Sequence, residues 1–270
     1  MSFNILIFMI MDCNEENISN VLSYIGQDYE KCLYMYIDLK KYGLKNDKFN
    51  VWIQYRGDEI CGLISEYYNG IQIYSKSYNI IPLEIVDLIK ERNPSVISGM
   101  EKIMCQIREY FPEYYETSGF VAKLGELTYP PTVNAYSASF EELSEITKLL
   151  IQEDNLGKHL GYDLLYKQLY DRKMDDFGRN FISRDEDNEI ICHAATYAEL
   201  PELAVISGVM TSFQYRGKGF SKGTLAALCN QLQSEGKDVF SYYHIPPAIK
   251  MHSGIGFKKV GNWVKFKKEI

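Results

Sequence analysis

The feature that most limits the fold of this chain is a glycine-rich loop between a buried strand and a helix. The loop follows the apolar segment Leu203–Thr211, carries three glycines between positions 217 and 223, and leads into a helix predicted over Ser221–Glu235. Glycine has no Cβ, so the backbone can turn its N–H groups toward a ligand. A helix N-terminus adds unpaired N–H donors and a partial positive charge. Strand, loop and helix together predict a cradle for a pyrophosphate.

The glycine spacing excludes two common types of phosphate cradle. Lys222 stands where the dinucleotide-binding pattern G-x-G-x-x-G has its third glycine, and no Gly-Lys-Ser/Thr closes the loop as in a P-loop. The run Gln214-Tyr215-Arg216-Gly217-Lys218-Gly219 fits the pattern [Gln/Arg]-x-x-Gly-x-[Gly/Ala]. Arg216, Lys218 and Lys222 bring full positive charges to this loop.

In this run the chain resembles the GNAT superfamily of N-acetyltransferases, in which the pattern wraps the pyrophosphate of acetyl-CoA. Val209-Met210-Thr211 is similar to the family's splayed strand, and Gly256-Phe257 to the Gly-Phe that opens its final strand. The resemblance covers about residues 132–270. It implies acetyl-CoA contacts from two stretches, which comprise Val209, Met210, Thr211, Gln214, Tyr215, Arg216, Gly217, Lys218, Gly219, Phe220 and Ser221.

The resemblance also implies transfer of an acetyl group to an amine by direct attack in a ternary complex. A backbone N–H of Met210 or its neighbours would stabilise the developing oxyanion. The family often uses a Tyr on the last helix to protonate the leaving thiolate, and His252 holds that place here. Its near-neutral pKa suits acid–base work, although a helix residue near a glycine-rich turn, with no catalytic role, is an equal alternative. Ile245 stands where the family often has an Asn that contacts the cofactor.

A carboxylate near the start of the splayed strand is the expected general base. Glu202 and Glu199 flank Pro201 there, although such turn glutamates are more often only solvated charges. His244 is another candidate base, whereas His193 is predicted to be packed. Ser-His-Asp catalysis is not expected, and the cysteines form no C-x-x-C pair, so the sequence does not support a metal site.

Paired prolines at 130 and 131 favour a boundary between residues 1–128 and 129–270. Both parts read as two helices followed by a hairpin, which suggests a duplication. The first part has Ser75-Lys76-Ser77-Tyr78 in place of the glycine loop, so we expect a degenerate copy with no cofactor. The predicted fold class is α/β (α+β), with tandem acyl-CoA N-acyltransferase-like domains. Each would have a twisted, mostly antiparallel sheet flanked by helices.

Several individual elements are also predicted. Ser139 and Glu142 form a capping box for a helix that runs to Glu153. A second helix is predicted over Met100–Phe111, and Phe257–Lys267 is predicted as the closing strand. The apolar start, Phe3 to Met11, is too short to span a bilayer and is predicted as a strand.

Composition limits the partners. A net charge of −7 argues against nucleic-acid binding, and six scattered cysteines favour a reduced, cytoplasmic protein without membrane contact. The expected partners are acetyl-CoA and a small-molecule or peptide amine, and a homodimer is left open. The alternatives are a non-catalytic CoA-binding or regulatory module and a transferase with another acyl or aminoacyl donor.

Overall fold

The computed structural model describes residues 8–44 and 49–268, which form two compact units. Of the described residues, those up to 121 and those from 260 onward form the first unit, and residues 122–259 form the second. Of the strand predicted from Phe3 to Met11, the part from Phe8 is a strand, and the part before it lies outside the described residues.

The described residues of the first unit form a sheet of seven strands, in which β6 (Tyr115–Leu124) is the last and the strand before it comes from the end of the chain. The order is β1 (Phe8–Asp12), β2 (Phe49–Arg56), β3 (Glu59–Tyr67), β4 (Gly70–Tyr74), β5 (Val96–Met100), residues 260–267 of β12 (Phe257–Lys267) and then β6. Neighbouring strands from β1 to β12 are antiparallel except β4 and β5. The helices are α1 (Ile18–Ile25), α2 (Leu33–Tyr42), α3 (Pro82–Arg92) and the short α4 (Glu101–Met104). Strand β6 leads out of this unit.

Successive side chains along the strands of the first unit point to opposite faces of the sheet, and they form two apolar clusters. In β2, Ile53 belongs to the cluster that includes α1 and α2, whereas its neighbour Trp52 belongs to the cluster that includes α3. Both faces of this sheet are therefore covered by helices.

The second unit repeats the same arrangement. Its strands are β7 (Ala135–Ser137), β8 (Asn180–Arg184), β9 (Ile190–Glu199), β10 (Leu203–Thr211) and β11 (Asp238–Tyr243), and they stand in the order β11-β10-β9-β8-β7. The pairs are antiparallel except β10 and β11. The helices are α5 (Leu143–Leu150), α6 (Tyr162–Met174), α7 (Phe220–Ser234) and α8 (Pro246–Ser253), with a π-helical turn at Asp154–Lys158 between α5 and α6.

Two predicted helices are shorter than expected. The helix predicted over Met100–Phe111 ends as α4 at Met104, because the N–H groups of Gln106 and Ile107 bond to carbonyls three residues back rather than four. The predicted capping box is half formed, since the Glu142 carboxylate accepts the Ser139 N–H at 2.7 Å and no side chain caps α5 in return. That helix ends at Leu150 rather than Glu153.

No helix within residues 8–44 and 49–268 is both long enough and apolar enough to cross a membrane.

Candidate functional site

The two parallel strands of the second unit separate part-way along their length. β10 pairs with β11 from Leu203 to Ile206, opposite Asp238 to Ser241. The rest of β10 stays paired with β9. The register of this pairing shifts between Val205 and Ile206 and again between Ser207 and Met210, and the second shift marks a bulge before Met210. The last residues of β10 therefore present a backbone edge that β11 does not cover. This opening is the splay predicted at Val209–Thr211.

A cavity of about 900 Å³ occupies the second unit at this opening. Its walls come from the end of β10, the glycine-rich loop, the start of α7 and one side of α8. Eight of the eleven predicted cofactor residues line it, and they are Val209, Met210, Thr211, Arg216, Gly217, Lys218, Gly219 and Ser221. Gln214 is exposed and lies outside this lining, as do Tyr215 and Phe220, whose rings pack against each other with centroids 5.9 Å apart.

The glycine-rich loop has the backbone form that a phosphate cradle needs. Gly217 and Gly219 have φ angles of 76° and 89°, which side-chain-bearing residues rarely adopt. Gly219 is the N-cap of α7, and no side chain caps that helix. The first N–H groups of α7 are therefore left for another acceptor. The first turn of α7 lies against the end of β10, where the Ser221 and Thr211 hydroxyls are 3.0 Å apart.

Four cations and one carboxylate are among the side chains that line the cavity. The cations are Arg216, Lys218, Lys222 and Lys250, and the carboxylate is Glu153. Arg216 donates to Glu153 and to the Thr211 carbonyl at 3.0 Å, and its guanidinium lies 3.9 Å from the centre of the Phe213 ring. The lining thus carries a positive balance in a protein whose net charge is −7.

Comparison with known proteins finds similarity in structure alone. No protein-family model and no curated protein matches the chain. A GCN5-related N-acetyltransferase from Sphaerobacter thermophilus matches 97% of this chain over 95% of its own, at 13% identity and a TM-score of 0.65. A tandem GNAT protein from the clavulanic acid biosynthesis pathway matches 96% over 98% of its own chain, at 10% identity and a TM-score of 0.60. A GNAT-family acetyltransferase from Colwellia psychrerythraea matches 97% over its whole chain, at 13% identity and a TM-score of 0.59.

The chain has the GNAT fold. The predicted tandem N-acyltransferase-like fold is thereby confirmed, because the matches extend over nearly the whole chain and include a tandem GNAT protein. At identities of 10–13% the similarity shows the fold alone. The role of each residue in this chain therefore has to be argued from its own geometry.

His252 does not line the cavity of the second unit. The side chain is 4% exposed and stacks on Tyr243, with ring centroids 4.6 Å apart. Its Nδ1 donates to the Ala248 carbonyl at 2.8 Å, and its Nε2 accepts from the Ser241 hydroxyl at 3.1 Å. Burial lowers the pKa of His252 below the usual value, against the opposing effect of the Ala248 bond. The general-acid role of His252 stays a prediction, and these contacts favour the alternative without a catalytic role.

The candidate bases also lie outside the cavity lining. Glu202 precedes the first residue of β10, and the strand rise of about 3.3 Å per residue places it roughly 20 Å from Val209. Glu199 is 8% exposed and is held by two bonds from Arg179, at 2.8 and 2.7 Å. His244 is exposed just before α8. The assignment of Glu202 as the base stays a prediction without support from this geometry.

Several cavity residues carry no signal that sequence reasoning could use. Glu153 reaches the loop from the segment after α5, and Tyr129 reaches it from the connection after β6. Lys250 and Met251 contribute from α8. Only the helical spacing from Pro247 to Met251, which places residues four apart on one face, could have suggested that part of α8 faces a ligand.

Proposed function

We propose that the second unit binds an acyl-CoA, with acetyl-CoA as the first candidate, and transfers its acyl group to the amine of an acceptor. The observation that carries this proposal is the separation of β10 from β11 at the same cavity that the glycine-rich loop closes. The uncovered strand edge can take an extended, amide-containing ligand, and the loop next to it can take a pyrophosphate.

The residues of the cavity fit such a ligand in charge and in shape. The N–H groups at the start of α7 and the glycines at 217 and 219 would hold the phosphates. Lys218, Lys222 and Lys250 would add positive charge around them. The cofactor would supply an activated acyl group, and the strand edge would position it for attack by the amine.

Two experiments test this proposal in sequence. Calorimetric titration with acetyl-CoA, with NADH and ATP as controls, should show binding by acetyl-CoA alone. A panel of primary amines should then release free thiol from acetyl-CoA in the presence of the protein. A folded protein that binds neither acetyl-CoA nor a longer acyl-CoA would contradict the proposal.

A non-catalytic CoA-binding module of the same fold is the second candidate. It is favoured by one observation, namely that neither His252 nor Glu202 lines the cavity. Such a module would bind acetyl-CoA with the same affinity and release no thiol with any amine, so the second experiment separates the two functions.

We propose further that residues 1–128 descend from a second copy of the same domain that has no cofactor site, and that residues 129–270 carry the active site. The repeated order of elements supports this division.

A further inference from the structure

A fully buried histidine is bonded to the bulge of β10, which lies beyond the last residue of β10 that pairs with β11. His193 lies in β9, where its Cα is in register with Met210, and its side chain has no solvent exposure. Its Nδ1 is 2.6 Å from the carbonyl oxygen of Gly208, and its Nε2 is 2.9 Å from Oδ1 of Asn180 in β8. The ring thus connects β8 to the irregular segment of β10 between Ser207 and Met210.

The direction of the bond to Gly208 follows from the charge of the ring. Burial lowers the pKa of His193 to about 4, so the ring is neutral near pH 7 and has one N–H. A carbonyl oxygen can only accept, so Nδ1 carries the hydrogen and donates to Gly208. Nε2 then has no hydrogen for the Asn180 oxygen, so the neutral ring pairs with Asn180 when the side-chain amide is turned by 180° and its NH2 group donates to Nε2.

A bond to the Gly208 carbonyl also fixes the next N–H. The structure has no cis peptide bond among its described residues, and in a trans peptide the C=O and the following N–H point in opposite directions. With the Gly208 oxygen directed at His193, the Val209 N–H is directed away from His193. Val209 lines the cavity, and neither Gly208 nor Val209 has a register partner in the described pairings of β10.

The bulge is built around the histidine ring in shape as well. Gly208 has a φ of 64°, in the left-handed region. A Cβ at this position would lie 3.3 Å from Cε1 of His193 and 3.4 Å from Cε1 of Tyr197. The peptide therefore has its conformation set by the glycine and its orientation set by the histidine.

We propose that His193 is a positioning residue that aims the Val209 N–H at the thioester carbonyl oxygen of the acyl donor. This inference rests on the proposed function. It assigns the oxyanion donor to Val209, next to Met210, and it assigns the orientation of that donor to a side chain on the neighbouring strand. His193 itself touches no substrate.

The test compares three variants with the wild-type protein. His193→Phe keeps a ring but removes the donor, whereas His193→Asn keeps an N–H donor near the position of Nδ1. Thr196→Val is the matched control, because Thr196 is also buried in β9 and donates to Glu199 at 2.6 Å, away from the bulge. If His193→Phe does not fold, the smaller His193→Leu replaces it.

The readout is the infrared stretch of the acetyl carbonyl in ¹³C-labelled acetyl-CoA, together with the dissociation constants of acetyl-CoA and CoA. We expect a shift to lower frequency on binding to the wild type, His193→Asn and Thr196→Val, and little or no shift with His193→Phe. The preference for acetyl-CoA over CoA should fall roughly three- to tenfold in His193→Phe, as expected for one lost hydrogen bond, while CoA affinity is kept.

The outcomes separate this inference from the proposed function. A wild-type protein that binds neither CoA nor acetyl-CoA overturns both. Normal CoA binding, with a carbonyl shift in His193→Phe equal to that of the wild type, overturns the role of His193 alone. Loss of the shift in Thr196→Val as well would reduce His193 to a purely structural residue.

Discussion

The two units contain the same parallel strand pair, and only one of the pairs opens. In the first unit β4 pairs with β5 from Gly70 to Ile73 and ends one residue later, at Tyr74. In the second unit β10 pairs with β11 over the same length and then continues to Thr211. β10 is thus four residues longer than β4, and this extra length gives the second unit its uncovered strand edge.

The loops that follow these strands differ in how their backbone N–H groups are satisfied. In the first unit the N–H groups of residues 76, 79 and 81 are bonded by the side chains of Tyr24, Ser75 and Gln54. In the second unit no side chain caps α7 at Gly219. The same topology therefore gives one loop whose backbone N–H groups are bonded by side chains and one helix start whose N–H groups have no side-chain cap.

The largest expected effect is the loss of CoA binding in Gly219→Glu. The substitution introduces a side chain at φ 89° and a negative charge at the start of α7. We expect acetyl-CoA affinity to fall at least roughly a hundredfold in calorimetry. Gly236→Glu is the matched control, because Gly236 follows the other end of α7, has a φ of 78°, and would place a Cβ with no other atom within 4 Å. Equal loss in both variants would mean that the cradle is elsewhere.

The second expected effect is a fall in the stability of the second unit at acidic pH. All four histidines lie in this unit, at 159, 193, 244 and 252. The pKa of His193 is lowered to about 4 in the folded state, so the unfolded chain takes up the proton first. The stabilisation is complete above about pH 6.5 and is lost as pH falls to about 4, by up to roughly 3 kcal/mol. His252, whose pKa is also lowered by burial, acts in the same direction.

Urea unfolding between pH 4 and 7.5 measures this effect. The pH dependence should be shallower in His193→Asn than in the wild type. His244→Asn, at an exposed position of the same unit, is the control substitution. A His193→Asn variant with the full wild-type slope would contradict the assignment.

The third expected effect is a loss of stability in Gly99→Ala without loss of CoA binding. A Cβ at Gly99 would lie 2.9 Å from the Ile73 carbonyl oxygen, so the closed β4–β5 pair has no room for it. We expect a cost of about 2 kcal/mol in the free energy of unfolding, measured in urea. Gly70→Ala, whose Cβ would meet only the Tyr67 oxygen at 3.7 Å, should cost far less. Weakened acetyl-CoA binding in Gly99→Ala would show that the first unit takes part in the site.

The smallest expected effect is a gain in stability from Asp38→Asn in the first unit. Burial raises the pKa of Asp38 to about 7, so its contribution to stability falls as pH rises from about 4 to 7, opposite to the trend for His193. The substitution should stabilise by about 1 kcal/mol at pH 8, and less at pH 5. Asp87→Asn, at an exposed site on α3, is the control substitution. An equal gain at both values would rule out titration of Asp38 as the cause.

The sequence by itself predicted the elements whose signals are local. The turns at residues 56–58 and 185–188, the strand Phe257–Lys267 and the strand–loop–helix around Gly217 and Gly219 follow from alternation and from glycine. The tandem fold followed from those motifs through a family resemblance. Such features depend on a few neighbouring residues, so their physical cause is contained in the sequence window itself.

Only the tertiary structure decided which distant strands and side chains contact each other. It pairs Lys265 of β12 with Ser98 of β5, and so places the end of the chain in the first unit. It packs His252 against Ser241 and brings Glu153 to Arg216, 63 positions away in the chain. The pairing of distant strands depends on the burial of whole sheet faces and on strand register, and a short sequence segment does not determine either. For that reason the glycine-rich loop and its helix could be predicted from the sequence, whereas the contacts of the candidate acid and base could not.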